Sequence, residues 1–292
     1  MICIMTALFQ EAKPFIKYFD LKKINVNLPF PIYTGAKEDN EIYLIISGVG
    51  MIKASAAVGA FFSWIKFEQK AFYEDCDIVN IGSCGSVNES DIGNIFRINK
   101  ILNKDSGKSF YPDLLMVSEL KEAVIESGSR IYQKNTAGCE LLFDMEAASI
   151  YEAGNFFVGP DRMHFLKVVS DAGNSNIDAT FLENVMDKNK ETISCFIENL
   201  IEFRKSQKET IFDDNKYTEY MDLFEKIALQ LHASVTMKAK IKQLMNYAFL
   251  AGIDVKTKYE TFEERGVVPC RDKKAGKKVL DELQNFICGT GI

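Results

Sequence analysis

The chain has 292 residues, 47% of them hydrophobic, with a formal net charge of −6 and a pI near 5.2. That length allows one large domain with an extension, or two domains. The acidic balance excludes the global basic field on which whole-chain nucleic-acid binding depends.

The N-terminus, MICIMTALFQEAKPF, has no basic n-region, no small-residue cleavage site and no 18-residue apolar run. Neither a signal peptide nor a membrane span is expected. The seven cysteines are scattered without CxxC spacing, as in a cytoplasmic protein with reduced thiols. Two histidines, His164 and His232, are too few for a histidine-rich metal site.

In chain order, residues 2–7 read as a buried strand, 42–46 as a second and 52–64 as an Ala-rich helix. Strands follow at 78–81, 95–101 and 165–169. Apolar strands alternating with helices predict an α/β domain whose sheet is covered on both faces. This body closes with a helix carrying Ile193, Phe196, Ile197, Leu200 and Ile201 at i, i+3, i+4, i+7, i+8 spacing. Residues 204–216 are polar and charged and read as a linker. Three apolar helical stripes come next: Met221, Phe224, Ala228 and Leu231; then Met237, Ile241, Leu244, Met245 and Ala248; then Leu280, Leu283, Phe286 and Ile287. The chain thus divides into a domain over residues 1–206 and a helical extension over 207–292. In the extension, Arg271, Lys273, Lys274, Lys277 and Lys278 read either as a contact for an acidic protein partner or as a solvated helix face.

Three glycine-bearing strand ends carry the chemical interest: Ser47-Gly48-Val49-Gly50, Ile81-Gly82-Ser83-Cys84-Gly85 and Ser170-Asp171-Ala172-Gly173. In α/β sheets the ligand crevice lies beyond the carboxyl ends of the strands, and glycine lets backbone N–H groups approach a polar ligand. Each segment alone is also what a tight turn looks like. Two acidic segments join them. Glu11 follows the first strand in Thr6-Ala7-Leu8-Phe9-Gln10-Glu11, and Phe143-Asp144-Met145-Glu146-Ala147-Ala148 opens a helix of small residues.

In this order, the motifs strand–A–x₃–E, SGVG, NIGSCGSV, DIGNIF, DMEAAS and KVVSDAGN resemble the nucleoside phosphorylase superfamily. They are closest to its 5′-methylthioadenosine/S-adenosylhomocysteine nucleosidases. The resemblance implies a three-layer α/β/α domain with a mixed central sheet. It also implies cleavage of the N-glycosidic bond of an adenosine-type purine nucleoside, with or without a 5′-thio substituent. By the same resemblance Asp171 is the general acid that protonates purine N7, oriented by Ser170. Glu146 accepts both ribose hydroxyls, Met145 packs on the sugar and Glu11 activates the attacking water. Ser83 and Gly85 of the second turn, Asp144 beside Glu146, and Met51 beside the first glycine loop complete the substrate site. The same residues also admit structural roles: a turn cap for Asp171, complements of a helix N-terminus for Asp144 and Glu146, and a surface glutamate for Glu11.

Phosphorylases must hold phosphate, and the resemblance places an arginine two residues before the GSCG-type turn, where this chain has Asn80. None of the six arginines falls in the three glycine segments. Arginine is the best phosphate clamp, so its absence there favours water as acceptor. The alternative, a phosphorylase with phosphate as co-substrate, would rely on Lys53 or Arg97. A third reading is a non-catalytic nucleoside-binding or scaffolding protein acting through its helical tail. The family's base-stacking aromatic has no clear counterpart, Phe110 and Tyr111 being the substitute candidates. The resemblance implies a homodimer and neither metal nor organic cofactor.

Overall fold

The computed structural model describes residues 1–37, 40–67, 75–130, 141–172, 178–211, 214–250 and 253–287. The chain opens with β1 (Ile2–Thr6), α1 (Phe9–Tyr18), β2 (Lys22–Ile24), β3 (Ile32–Lys37), β4 (Asn40–Ile46) and α2 (Met51–Phe67). It continues with β5 (Asp77–Ser86), β6 (Ile95–Asn103), β7 (Ser109–Phe110), β8 (Lys121–Ser127), β9 (Leu142–Asp144) and α3 (Ala147–Gly154). Then come β10 (Met163–Asp171), α4 (Ala179–Ile211), α5 (Asp214–Gln230), α6 (Val235–Leu250), α7 (Val255–Glu264) and α8 (Lys273–Ile287).

The strands form one 10-stranded mixed sheet in the order β10-β6-β8-β9-β5-β1-β4-β3-β2, with β7 on β6 and a further pairing of β10 with β5. That pairing closes β5, β10, β6, β8 and β9 into a ring, while β1, β4, β3 and β2 fan out from β5. Strands β1, β4, β5 and β10 run parallel. They are covered on both faces, which is why ICIMT of β1 and most of MHFLKVVSD in β10 are near-continuous apolar runs. One face packs Cys3, Met5, Ile78 and Phe165 against Phe61 and Phe62 of α2 and Ile150 of α3. The other packs Ile4, Val79 and Leu166 against Phe15 of α1 and Ile193, Phe196 and Ile197 of α4. This is the expected three-layer arrangement. Its consequence is that Thr6, Ile46, the Ser83–Gly85 segment and Asp171 all end on one edge of the sheet.

The opposite edge is fastened by Asp77, the first residue of β5. Its buried carboxylate accepts from Arg204 Nε and Nη2 at 3.0 and 2.8 Å, from Arg162 Nη1 at 3.1 Å, and lies 3.2 Å from His164 Nε2. Burial alone would raise this carboxyl; hydrogen bonding and charge from His164, then Arg204, outweigh it and hold the group below its ordinary value.

Two expectations are corrected. Strands β2, β3, β7, β8 and β9 were not foreseen. Residues 204–216 are not an irregular linker over the described part: α4 runs on to Ile211 and α5 starts at Asp214, residues 212–213 lying outside the described residues. That stretch has neither glycine nor proline, and its Lys, Gln and Glu residues are good helix formers. The chain still divides into two compact units, Met1–Arg204 and Lys205–Ile292, but the division falls inside a helix. No helix of the described residues is long and apolar enough to cross a membrane.

The second unit has its own core, built from Phe224, Ile241, Met245, Tyr259 and Leu283. The three expected stripes lie on α5, α6 and α8; α7, which presents Val255, Tyr259 and Phe262, is additional. Phe286, expected in the third stripe, is 40% exposed, with the Lys258 ammonium 5.1 Å from its ring centroid. Helix α8 passes so close to the end of α5 that a Cβ on Gly276 would lie 1.9 Å from the Leu231 carbonyl oxygen. Backbone cannot yield there as a side-chain tip can. Gly276→Ala should therefore destabilise the second unit by about 3 kcal/mol or more, the upper end for overpacking. Hydrogen exchange should show protection lost in α8 and α5 and kept in β1 and β5. Wild-type protection of α8 would refute the close-packing argument.

Candidate active site

The first carboxylate is placed by the turn from β1 into α1. Glu11, three residues beyond Leu8, folds back so that Oε2 accepts the backbone N–H groups of Ala7 and Leu8 at 2.9 and 3.0 Å. Its Oε1 reaches β5, where the N–H and hydroxyl of Ser83 both donate at 2.8 Å. Glu11 is thus a buried bridge rather than a surface glutamate. Four donors fill the acceptor capacity of a carboxylate. Only the Ser83 hydroxyl among them can rotate away.

The second acidic segment lies at the end of β9. The Asp144 side chain is fully buried and accepts from the Ser127 hydroxyl, from Ala147 N at 2.9 Å and from Lys167 Nζ at 2.7 Å. It therefore complements the N-terminus of α3 from beneath. Glu146 immediately precedes α3 and reaches across to accept Gly50 N–H at 2.7 Å. Gly48 and Gly50 take φ of +80° and +103°, so the loop that aims this N–H needs glycine. Burial first, and Asp144 next, push the Glu146 carboxyl up to about 7, against the opposing effects of Lys167 and the Gly50 N–H.

The third component is one that the sequence reading missed. Lys167, in the middle of β10, is 1% exposed. Burial alone would lower its ammonium; Asp144, then Glu146, with Glu11 further off, outweigh that and hold it above the ordinary lysine value. Its Nζ lies 3.2 Å, and Glu11 Oε1 3.5 Å, from the point where a Cβ on Gly82 would sit. The glycine leaves the room that both side chains use.

Asp171 ends β10 after a register shift and pairs with Gly85, its Oδ1 3.2 Å from the Cβ point of that glycine. The Ser170 hydroxyl lies 3.1 Å from Asp171 Oδ2 and 3.2 Å from the Cys84 carbonyl oxygen. On its other side Gly85 pairs with Phe143, the residue before Asp144. Asp171 and the Asp144–Glu146 segment therefore flank the same end of β5. Asp171 is partly exposed; Gly173 and Asn174 of the motif lie outside the described residues. Between the flanks sits Cys84, whose thiol burial drives well up, leaving it unreactive.

The remaining candidates divide between this edge and the core. Met51 begins α2 and packs partly buried against the first core, and Met145 is partly buried. Phe110 stacks on Tyr151 at 5.0 Å as a core ring, whereas Tyr111 is 56% exposed. Asn80 is buried and donates to the Met5 carbonyl at 3.0 Å, tying β5 to β1. Arg97, one of two cations suggested for phosphate, is buried against α4, with Nη1 donating to Met116 O at 2.6 Å and its guanidinium 5.4 Å from the Phe196 ring. Arg162 and Arg204 are committed to Asp77 at the opposite edge. Lys53, the other suggested cation, lies at the glycine loop, its Nζ 3.6 Å from the Cβ point of Gly48.

No family model matches the chain, and no curated protein sequence matches it. Solved structures do. The 5′-methylthioadenosine nucleosidase of Arabidopsis thaliana in apo form matches at 22% identity over 68% of this chain and 94% of that one, TM-score 0.55. The S-adenosylhomocysteine nucleosidase of Streptococcus pyogenes in complex with 5-methylthiotubericidin matches at 20% identity over 68% and 96%, TM-score 0.55. The native futalosine hydrolase of Helicobacter pylori matches at 15% identity over 69% and 97%, TM-score 0.54. The chain has the nucleosidase fold. Those relatives are matched almost whole, and 68% of 292 residues is close in size to the 204 of the first unit. About a third of the chain, comparable to the second unit, is additional to the nucleosidase fold.

Proposed function

We propose that the chain hydrolyses the N-glycosidic bond of an adenosine-type purine nucleoside, with or without a 5′-thio substituent. One observation carries the reading: carboxylates from the β1–α1 turn, the β9–α3 junction and the end of β10 converge on a single sheet edge, around Ser83 and Gly85. Glycosidic cleavage builds positive charge on the sugar and negative charge on the departing base. Carboxylates near the sugar and a proton donor at the base answer both.

In this proposal Asp171 donates to purine N7, with Ser170 orienting it. Glu146 accepts the ribose diol, taking a second set of donors beside the Gly50 N–H. Glu11 holds the water: rotation of the Ser83 hydroxyl frees one lone pair on Oε1 for the proton that the water gives up. Asp144 acts from beneath rather than touching substrate, since its carboxylate is enclosed by Ser127, Ala147 and Lys167. Met51, Met145 and Gly85 line the crevice. Water is preferred to phosphate because Arg97, Arg162 and Arg204 are committed elsewhere, which leaves Lys53, a point charge rather than a bidentate clamp, at the glycine loop. Purified protein should release adenine from adenosine or 5′-methylthioadenosine in phosphate-free buffer, at a rate that added phosphate does not raise. A strict phosphate requirement, with a sugar 1-phosphate as product, would replace hydrolysis by phosphorolysis.

A further inference from the structure

We infer that Lys167 is a positioning residue, supplying the counter-charge on which Glu146 depends to bind the ribose diol. The inference rests on the assignment of Glu146 to the diol, and deepens it. Its ground is the arrangement of charge around one buried ammonium. Lys167 is enclosed at the centre of β10 and contacts Asp144 at 2.7 Å; Glu146 and Glu11 are the other charges acting on it. These carboxylates belong to β9, to the residue before α3 and to α1.

Net stability does not account for such a lysine. A buried ion pair gains little over apolar residues of the same volume, because desolvation offsets the attraction. Apolar residues at both 144 and 167 would pack as well, whereas loss of Lys167 alone leaves the buried Asp144 carboxylate with Ser127 and the Ala147 N–H. Neither change would offset the negative charge at Glu146. The groups facing Glu146 are Asp144 from β9, Glu11 from α1, Lys167 from β10, and the Gly50 N–H at the start of α2. Lys53 of α2 lies by the same glycine loop, and Asp171 ends the strand that carries Lys167. Of these two lysines, Lys167 is the one sealed from water, where charge acts with least screening.

The sign of the effect is fixed. A diol donates to an ionised carboxylate, and a protonated one loses part of that acceptor capacity. Glu146 sits at about 7, so its ionisation changes across neutrality. Removing Lys167 must push the midpoint up and weaken nucleoside binding at neutral pH. Removing the Asp144 charge must push it down, because a like charge disappears and Lys167 loses its competing partner.

The test uses full-length protein labelled with carboxyl-¹³C glutamate, the Glu146 resonance being assigned by its loss in Glu146→Gln. In Lys167→Met the midpoint should rise by about one pH unit or more. Asp144→Asn should lower it, and Lys167→Arg, which keeps the charge, should restore it. In steady-state assays Lys167→Met should raise KM about tenfold at pH 7, recovering toward pH 9, with a smaller change in kcat, as expected for lost ground-state binding. If Lys167→Met does not fold, Lys167→Gln, which keeps a donor to Asp144 but not the charge, decides by the same upward shift. Midpoints that ignore both substitutions in an active enzyme, or a KM defect equal at all pH values, would overturn the role of Lys167 alone. A wild-type protein that binds no nucleoside would instead overturn the functional reading and the diol role together.

Discussion

Asp171→Asn should lower kcat for base release by about 10²–10⁴-fold, the usual range for loss of a general acid, while KM for the nucleoside changes only a few-fold. Asparagine is isosteric, so it can keep the place beside Gly85 and the contact with Ser170 that the aspartate has now. What it lacks is a carboxyl proton to transfer. Without that proton the purine must leave as an anion, and the barrier rises by roughly 3–5 kcal/mol. A substrate analogue with carbon in place of purine N7 probes the same step from the other partner. It should bind to the wild type and resist cleavage, and Asp171→Asn should add little further loss on it. Steady-state kinetics on the two proteins and two nucleosides decides the matter. Full activity of Asp171→Asn would remove the assigned acid, and equal cleavage of the N7-less analogue would place protonation elsewhere on the base.

The parts of this arrangement that the sequence displayed are those whose signals are local. Strands β1, β5 and β10 are buried on both faces, and their apolar runs stand out without any partner in view. Glu11, Glu146 and Asp171 could be singled out because each follows a strand or opens a helix, where the ligand crevice of an α/β sheet lies. Elements with mixed or short patterns were lost. In β8 the sequence KEAVIES mixes charged and apolar residues, and β9 is three residues long; neither registers as a strand until β6, β5 and each other's backbone are there to pair with. The run from Arg204 reads as a linker because it is polar and charged, although nothing in it breaks a helix. Lys167 is the most instructive omission. A lysine in a strand ordinarily signals a wet face, and the reason this one is buried lies 23 residues earlier in sequence, in Asp144. The pairing is wholly tertiary, and a one-dimensional pattern contains no trace of it. The same holds for Asp144, which sequence grouped with Glu146 as a neighbour at the ligand but which geometry turns inward.

The second large effect belongs to stability rather than to chemistry. Asp77→Asn should cost roughly 3–5 kcal/mol at neutral pH, the range for breaking a buried ion pair by removing one partner. The carboxylate now answers Arg204, Arg162 and His164 at once, and asparagine would leave two guanidinium groups, with side chains only 11% and 18% exposed, to the more exposed carboxylates of Asp75 and Asp161. Arg204 lies on α4, so the loss should loosen that helix from the sheet. The pH dependence has a definite sign. The folded-state carboxyl of Asp77 is held below its ordinary value, so its contribution is present above the unfolded-state value, about 3.9, and is lost as pH falls through the folded value. Urea unfolding should therefore show a wide gap between wild type and Asp77→Asn at pH 7 that narrows steadily below about pH 4. Because Asp77 and the carboxylate cluster occupy opposite ends of the parallel strands, kcat of the folded variant should match wild type. A gap of constant width down to pH 2 would mean that Asp77 acts through shape alone. A kcat that falls along with stability would mean instead that the clamp at one end of the sheet sets the geometry of Glu11, Lys167 and Asp171 at the other.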